Sequence, residues 1–282
     1  KGLAKFYDDV SSFRLYEGLA TYVNNFGSTD FRFTAGYSYQ QNNFESNFLE
    51  IGDFPDGSRD FSNLIESAQD LQNAGFIVAN SDTSPDEKII AFFGRANLTF
   101  NNAIFVNASV RREGSTKLGT ENQWGIFPAF GVGVDLNNYL DIAGVKLLKV
   151  RAGYGVTGAL PGLNGLSQPI RSVVNGSDGS VSSELIRAAN PDLKWEEKAE
   201  LNLGVELTMD RFNATLDVYN RDVSDFILEV TVDPAIFGVD RRFENAGRLN
   251  TKGAELTLGY DVMRGEKVNW TTGVVLSTYK TT

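Results

Sequence analysis

The feature that most constrains this chain is a strict two-residue alternation of apolar and polar side chains between Asn190 and Phe226. From Ala199 to Met209 every odd position is apolar, and every even position is polar or glycine. Because successive side chains of a β-strand point to opposite faces, this pattern predicts a strand with one wholly apolar face. The alternation restarts at Phe212 after only Asp210 and Arg211, so the segment is predicted to form an antiparallel hairpin.

Two classes of protein use such two-faced strands. In a soluble β-sandwich the apolar face points into the core and the polar face meets water. In an outer-membrane barrel the apolar face meets lipid and the polar face lines a lumen. One hairpin fits both classes, so the arrangement of the other strands has to decide between them.

Further alternating segments bring the predicted total to about ten strands, and their connections alternate in length. Short turns lie near residues 27, 101, 141, 210 and 265, whereas longer loops cover 42–87, 113–123, 158–191 and 224–247. In an antiparallel meander this alternation puts the long loops on one side, as in barrels with tight periplasmic turns and long outer loops. The pattern predicts an all-β, antiparallel transmembrane β-barrel, with residues 1–282 forming part of one barrel domain.

Aromatic residues near strand ends favour the same membrane interpretation. Barrels that cross a bilayer carry girdles of aromatic side chains at both membrane interfaces, on the lipid-facing side of the strands. Six aromatic residues of this chain lie near strand ends with the parity of the apolar face. The predicted girdle residues are Trp124, Trp195, Trp270, Phe31, Phe100 and Phe212.

The residue types that are absent exclude several chemistries. The 282 residues include no cysteine and no histidine, so they offer no disulfide, no Ser-His-Asp triad and no zinc site with histidine or cysteine ligands. We therefore expect no catalytic residue, no metal and no cofactor. The net charge of −10 argues against a nucleic-acid partner. No apolar run reaches the roughly 18 residues that a membrane-spanning helix needs.

Nearly all of the net negative charge of the chain arises from one segment. Residues 42–87 contain ten acidic residues and a single basic one, Arg59. Within this segment Ser62 to Ala74 is predicted to be a short helix, because its apolar residues share one face and Gly75 can end it. A connection of this length is typical of a functional or capping loop.

Two short motifs suggest chemistry but lack the context that it requires. Gly153, Gly155 and Gly158 match the dinucleotide-binding fingerprint, yet the preceding strand alternates and no helix follows. Small residues on a lumen face, or where a strand enters a loop, explain these glycines better. Glu196 and Glu197 are adjacent in a strand and point to opposite faces, so they cannot easily converge on one bond.

Four stretches of the chain resemble the SusC-like TonB-dependent outer-membrane transporters. They are RREGSTKLGTENQWGIFPAF from Arg111, LLKVRAGYGVTGAL from Leu147, NPDLKWEEKAELNLGVEL from Asn190 and ENAGRLNTKGAELTLGY from Glu244. The stretches occur in the order that the family shows. One departure is Ala159, where the family usually has asparagine after the VTG sequence.

The resemblance implies a barrel of about 22 strands closed by an N-terminal plug, of which this chain holds about ten strands. It also implies TonB-driven import of glycan oligosaccharides or peptides across the bacterial outer membrane, with a SusD-like surface lipoprotein as a lid. The TonB complex would act through the plug, which lies outside these residues, and the wall itself would contact the lipid bilayer.

On this hypothesis, parity and height along the strands select six candidate substrate-binding residues on the polar face. They are Gln40, Arg111, Glu196, Lys198, Tyr219 and Arg221. The acidic segment 42–87 is the candidate for lid contact or substrate capture. Two alternatives stay open, namely a complete ten-stranded outer-membrane barrel that acts as an enzyme and a soluble β-rich adhesin.

Overall fold

The computed structural model describes residues 2–54, 65, 68–72, 77–83, 86–140, 142–175 and 180–282. Most of these residues form strands. The strands are β1 (Gly2–Asn25), β2 (Thr29–Phe54), β3 (Ile77–Thr83), β4 (Glu87–Phe100), β5 (Ile104–Ser115), β6 (Trp124–Asp135), β7 (Val145–Ala159), β8 (Ile170–Asn175), β9 (Val181–Arg187), β10 (Glu196–Met209), β11 (Phe212–Ser224), β12 (Ile227–Thr231), β13 (Arg241–Asn245), β14 (Arg248–Arg264) and β15 (Asn269–Thr281). Two one-turn helices, α1 (Gln69–Gln72) and α2 (Pro234–Phe237), lie in the connections.

Ten of these strands form one continuous path in the largest sheet. Their order is β1-β2-β4-β5-β6-β7-β10-β11-β14-β15, with β3 paired to β2 beside this path. Each strand therefore pairs with the previous long strand of the chain, and the ladders from β4 to β15 are antiparallel. The prediction of about ten antiparallel strands is confirmed.

The chain forms two compact units. The first comprises Lys1–Leu15 and Gln40–Lys88, and the second comprises Tyr16–Tyr39 and Ile89–Thr282. In the first unit Ile51 and Phe54 are buried together with Ala4 and Ala68. In the second unit the described sheet surfaces are mostly exposed or half-buried, and a small buried cluster lies among the connections.

The connections of the second unit alternate in length except at one step, where the connection from β6 to β7 (136–144) is no shorter than that from β5 to β6 (116–123). From β4 onward, short turns at Asn101 and Asn102 and at Asp210 and Arg211 alternate with longer connections. Asn101 and Asn102 both have positive φ, of 50° and 52°, and with Ala103 they form the tight hairpin turn between Phe100 and Ile104. Asparagine tolerates this left-handed conformation better than most residues, so the turn follows from the local sequence.

The predicted loop boundaries need correction, because the strands and small hairpins extend into the loops. The segment predicted as loop 42–87 begins as a strand, since β2 continues to Phe54 and pairs with β3 between Glu45 and Ile51. A backbone ladder and the burial of Ile51 hold this stretch extended although its side chains do not alternate. Of the helix predicted over Ser62–Ala74, the structure describes Gln69–Gln72 as α-helical, and most of the remaining residues lie outside the described ranges.

The other two long loops also carry structure of their own. Within 158–191, β7 continues to Ala159 and β8 pairs with β9. Within 224–247, β12 pairs with β13. The amide of Ala188 donates to the carbonyl oxygen of Arg241 at 2.9 Å, which joins the two loops.

The apolar face of the second unit lies open rather than in a core. Phe130, Tyr154 and Leu201 are directly opposed on β6, β7 and β10, and their exposed fractions are 52%, 47% and 46%. A soluble sandwich would bury such a row under a second sheet, whereas a barrel wall presents it to lipid. In the described part of the chain, no helix has the length and apolar character that would let it cross a membrane.

Candidate functional site

The register of the strands brings alternate polar residues onto one side of the sheet, which we call the polar face. One row of directly opposed residues defines this face across six strands. The row consists of Arg95, Ser109, Ala129, Gly155, Glu200 and Arg221. Because opposed residues of a sheet share a face, every residue two positions along each strand from this row lies on the polar face as well.

An arginine network crosses the polar face at β10. Arg151 on β7 donates from Nε to Oε1 of Glu206 at 2.9 Å and from Nη2 to Oδ2 of Asp217 at 2.7 Å. Its Nη1 also donates to Oδ1 of Asn202 at 3.4 Å. Asp217 lies on β11, so the guanidinium group spans a whole strand to reach it. Guanidinium to carboxylate hydrogen bonds are among the stronger ones in proteins, and this set ties three strands together.

Gly204 makes this network possible. It lies directly between Arg151 and Asp217 in the register of β10. A Cβ atom at this position would lie 2.7 Å from Nε of Arg151 and 2.7 Å from Oδ1 of Asp217. Any side chain at residue 204 would therefore have to displace the arginine, so the glycine serves the ion pair across the strand.

A second cluster contains three of the six predicted site residues. Arg221 donates from Nε to Oε2 of Glu200 at 2.8 Å, and Nζ of Lys198 lies 3.7 Å from the same oxygen. The guanidinium carbon of Arg221 lies 5.4 Å from the ring centroid of Tyr219. The ring of Tyr219 covers Gly253 on β14, where a Cβ atom would lie 2.5 Å from the tyrosine hydroxyl. Glu200, which joins Lys198 to Arg221, was not among the predicted site residues.

The other three predicted site residues lie elsewhere. Glu196 accepts a hydrogen bond at 2.8 Å from the amide of Ile227, so it anchors the start of β12. Arg111 pairs with Glu113 and lies with its guanidinium carbon 5.9 Å from the ring centroid of Phe93. Gln40 is half-buried and belongs to the first unit. Within the second unit, Glu196 and Arg111 thus have partners other than those of the second cluster.

A groove lined by several glycines adjoins the second cluster. Its volume is about 560 Å³. Gly131, Gly153 and Gly155 line it without side chains, while Lys198 and Glu200 line it from β10. This position on the polar face agrees with the interpretation of Gly153 and Gly155 as small lumen-facing residues.

A larger cavity of about 1030 Å³ lies on the polar face near β2, β4 and β5, and we call it the arginine cavity. Three arginines line it, namely Arg32, Arg95 and Arg111. Arg32 and Arg95 are exposed, and neither side chain has a hydrogen bond or an ion pair with any residue that the structure describes. Sequence reasoning missed both residues as site candidates, although their polar parity on alternating strands was the signal that could have selected them.

Five of the six predicted girdle residues are exposed or half-buried, and one is buried. Trp270, Trp124 and Phe100 are exposed, with Trp270 at 55%, and Phe31 and Phe212 are half-buried. The prediction for Trp195 is wrong, because its exposed fraction is only 5%. Its ring packs edge-on against Phe127 with a centroid distance of 5.2 Å. Its Nε1 donates to the carbonyl oxygen of Gln123 at 3.0 Å, so Trp195 is a buried anchor rather than a lipid contact.

The segment Asn190–Trp195 fastens the long connections to one another. The side chain of Asn190 donates to the carbonyl oxygen of Phe243 at 2.8 Å and accepts from Nη2 of Arg242 at 2.7 Å. Leu193 is fully buried, and its carbonyl oxygen accepts from the amide of Gly119 at 2.8 Å. A Cβ atom at Gly119 would lie 2.0 Å from the carbonyl oxygen of Pro191, so only glycine fits there.

Two charged groups outside the largest sheet have lowered pKa values. A hydrogen bond from Lys146, helped by the charge of Arg264, lowers the pKa of Asp210 in the turn between β10 and β11. Burial lowers the pKa of Arg187 in the loop hairpin, against the opposing charge of Glu229. In the described residues no group of three or more acidic side chains is arranged to hold a metal ion.

Comparison with known families identifies the sheet. A family model described as "TonB dependent receptor-like, beta-barrel" matches residues 3–282. The chain belongs to this family. The resemblance seen in the four sequence stretches is thereby confirmed, and the sheet is part of the family's β-barrel.

Curated relatives and solved structures agree with this membership. TonB-dependent receptor P3 of Formosa agariphila is 25% identical over 279 residues, which cover 94% of this chain and 27% of P3. TonB-dependent receptor SusC of Bacteroides thetaiotaomicron is 24% identical over 277 residues, which cover 93% of this chain and 26% of SusC. The structure of the RagAB peptide transporter matches with a TM-score of 0.83 at 21% identity, covering 98% of this chain and 30% of that chain. The chain thus spans about a quarter of the length of these curated relatives.

Proposed function

We propose that this chain forms part of the wall and outer loops of a TonB-dependent transporter in the bacterial outer membrane. The observation that carries the proposal is the two-faced sheet, with an exposed apolar row at Phe130, Tyr154 and Leu201 and a polar face opposite. Such a wall needs lipid on one side and water on the other. Family membership supports this assignment over the ten-stranded enzyme and the soluble adhesin.

We further propose that the transported substrates are oligosaccharides or peptides. The similarity to the RagAB peptide transporter supports the peptide class, and the resemblance to SusC-like transporters implies the oligosaccharide class. The polar face provides a hydrated surface on which hydroxyl, amide and charged groups can form hydrogen bonds. No covalent step is required of the chain, because transport uses binding and release rather than bond cleavage.

The proposed partners follow from the same similarity. A SusD-like surface lipoprotein would cover the outer loops, and the TonB complex would act through a plug outside these residues. The acidic segment 42–87 and the linked loops 158–191 and 224–247 are the proposed contact surfaces for the lid or for arriving substrate. The loops joined by Asn190 present a defined surface, since Ala188 and Arg241 are joined by a backbone hydrogen bond.

Uptake measurements on the full-length chain test the proposal. Cells that express it should accumulate labelled oligosaccharides or labelled peptides only when TonB is present. Matched cells without TonB serve as the control. Equal accumulation in both strains, or recovery of the full-length chain in the soluble fraction without detergent, would contradict the transporter assignment.

A pull-down tests the lid. Under the proposal, a surface lipoprotein copurifies with the full-length transporter from detergent-solubilised outer membranes. Replacing the loop residues Asn190 and Arg242 together should reduce this copurification, because both hold the loops in place. Unchanged copurification would place the lid contact away from these loops.

A further inference from the structure

The arginine cavity differs in its charge balance from the Arg151 network and from the second cluster of the polar face. Arg151 and Arg221 are each neutralised by carboxylates on neighbouring strands. Arg32 and Arg95 have no such partner among the described residues, although they line the same cavity. The protein as a whole is acidic, with a net charge of −10, so the lack of an ion-pair partner for these two arginines does not reflect a shortage of acidic residues.

Among the residues that the structure describes, Asp30 is the acidic side chain that lines the cavity. Oδ1 of Asp30 accepts a hydrogen bond from Nδ2 of Asn25 at 2.6 Å, and no ion pair joins Asp30 to an arginine of the described chain. Arg111 is balanced by Glu113. Counting Asp30 and Glu113 against Arg32, Arg95 and Arg111, the cavity has an excess of positive charge. Such an excess in a cleft with walls of low dielectric focuses the field and attracts anions.

The neighbouring side chains suit an extended polar ligand rather than a bare ion. Thr34, Asn97 and Ser109 line the cavity and offer hydroxyl and amide groups, while Phe93 adds an aromatic surface. Guanidinium groups bind carboxylates, sulfates and phosphates through paired hydrogen bonds. The volume of about 1030 Å³ is large enough for several sugar or amino-acid units.

We propose that the arginine cavity is a binding site for anionic groups of the transported oligomer, with Arg32 and Arg95 as its ligands. This inference rests on the proposed transport function and names its substrate class as carboxylate- or sulfate-bearing oligosaccharides or acidic peptides. The shared chemistry is an oxyanion held by two guanidinium groups, and neutral oligomers lack it.

Binding to the purified full-length transporter tests the site. The probes are oligogalacturonate with a neutral galacto-oligosaccharide of equal length, a sulfated oligosaccharide with its desulfated form, and an acidic peptide with its amidated counterpart. At least one anionic probe should bind more tightly than its neutral partner, and its affinity should fall as salt is raised. Arg32→Gln and Arg95→Gln should each weaken that binding by about tenfold, and the double variant by more.

Two control variants keep the result interpretable. Arg211→Gln removes the same charge at a turn outside the cavity and should leave anion binding unchanged. Arg32→Lys keeps the charge but not the paired geometry, so it should retain part of the affinity. Heat-dependent migration on gels reports whether each variant is folded.

Two results would overturn the site, and they differ from those that would overturn transport. Equal binding of anionic and neutral probes, or tight anion binding by the Arg32→Gln and Arg95→Gln variants, removes the anion site even if neutral oligomers are taken up in a TonB-dependent manner. Conversely, arginine-dependent anion binding without any TonB-dependent uptake would keep the site and remove the transport assignment.

Discussion

The Arg151 network and the arginine cavity lie on the same polar face, yet their arginines differ in ion pairing. Arg151 has carboxylate partners within the protein, whereas the Arg32 and Arg95 side chains have none among the described residues. Arg151 reaches two carboxylates because Gly204 leaves space for it to cross β10. Arg95 lies opposite Ser109, and its guanidinium group forms no ion pair with an acid of the described chain. An arginine with internal partners stiffens the wall, whereas an arginine without them is available to a ligand. The contrast separates structural charge from functional charge on one surface.

Replacing Arg151 or Arg95 by alanine should give the largest difference in stability between the two regions. Arg151→Ala leaves Glu206 and Asp217, both partly buried, without their cation, so we expect a loss of about 2 kcal/mol in the free energy of unfolding. Arg95→Ala removes no internal partner and should change it by less than about 0.5 kcal/mol. Denaturant unfolding of the full-length protein in lipid vesicles measures both. Equal losses for the two variants would erase the distinction between the regions.

Substitution of Gly204 should have a smaller effect, which also arises from the loss of hydrogen bonds by Arg151. In Gly204→Ala the new Cβ atom displaces Arg151, and the loss of its hydrogen bonds should cost about 1–2 kcal/mol. Gly18→Ala is the matched control, because nothing lies within 4 Å of a Cβ atom at that position of β1. If both variants unfold at the same denaturant concentration, Gly204 has no role in admitting the arginine.

The second cluster should contribute less than the Arg151 network. Arg221 has one carboxylate partner and a side chain that is 38% exposed, so solvent screens its ion pair with Glu200. We expect Arg221→Gln to cost under about 1 kcal/mol in the free energy of unfolding. The double variant Arg221→Gln with Glu200→Gln should show little coupling in a double-mutant cycle. A coupling as strong as that between Arg151 and Asp217 would contradict this ranking.

The smallest effect is expected at the turn, where the ion pairs are exposed to solvent. Because Lys146 and Arg264 lower the pKa of Asp210, its carboxylate contributes stability above its unfolded pKa of about 3.9. This contribution is lost as pH falls through the lowered folded pKa. Asp210→Asn should therefore be slightly less stable than the wild type at pH 7, and the difference should vanish in strong acid. A difference that persists there would assign the effect to the shape of the turn instead.

The strands and short turns could be predicted because each depends on residues near in sequence. The alternation of Ala199–Met209 and the left-handed backbone of Asn101 and Asn102 are local properties. The prediction for Trp195 failed because parity loses its meaning where the strand ends. Just outside β10, the ring position is decided by Phe127 and Gln123, which are distant in sequence.

The prediction that a loop begins at residue 42 failed for a related reason. Side-chain alternation was the signal used, but β2 continues past it through backbone pairing with β3. Hydrogen bonds of a ladder place no demand on side-chain polarity, so an irregular sequence can remain extended when a partner strand lies beside it. The partner strand here lies about thirty residues away in the chain, a distance at which sequence patterns carry no register.

By itself, the sequence determined that this protein is a two-faced antiparallel sheet of about ten strands from a transporter-like barrel. Only the tertiary structure decided which charges on the polar face meet. Alternation assigns a residue to a face, but the register between strands sets its neighbours. That register put Gly204 between Arg151 and Asp217, and it put Ser109 rather than an acid opposite Arg95.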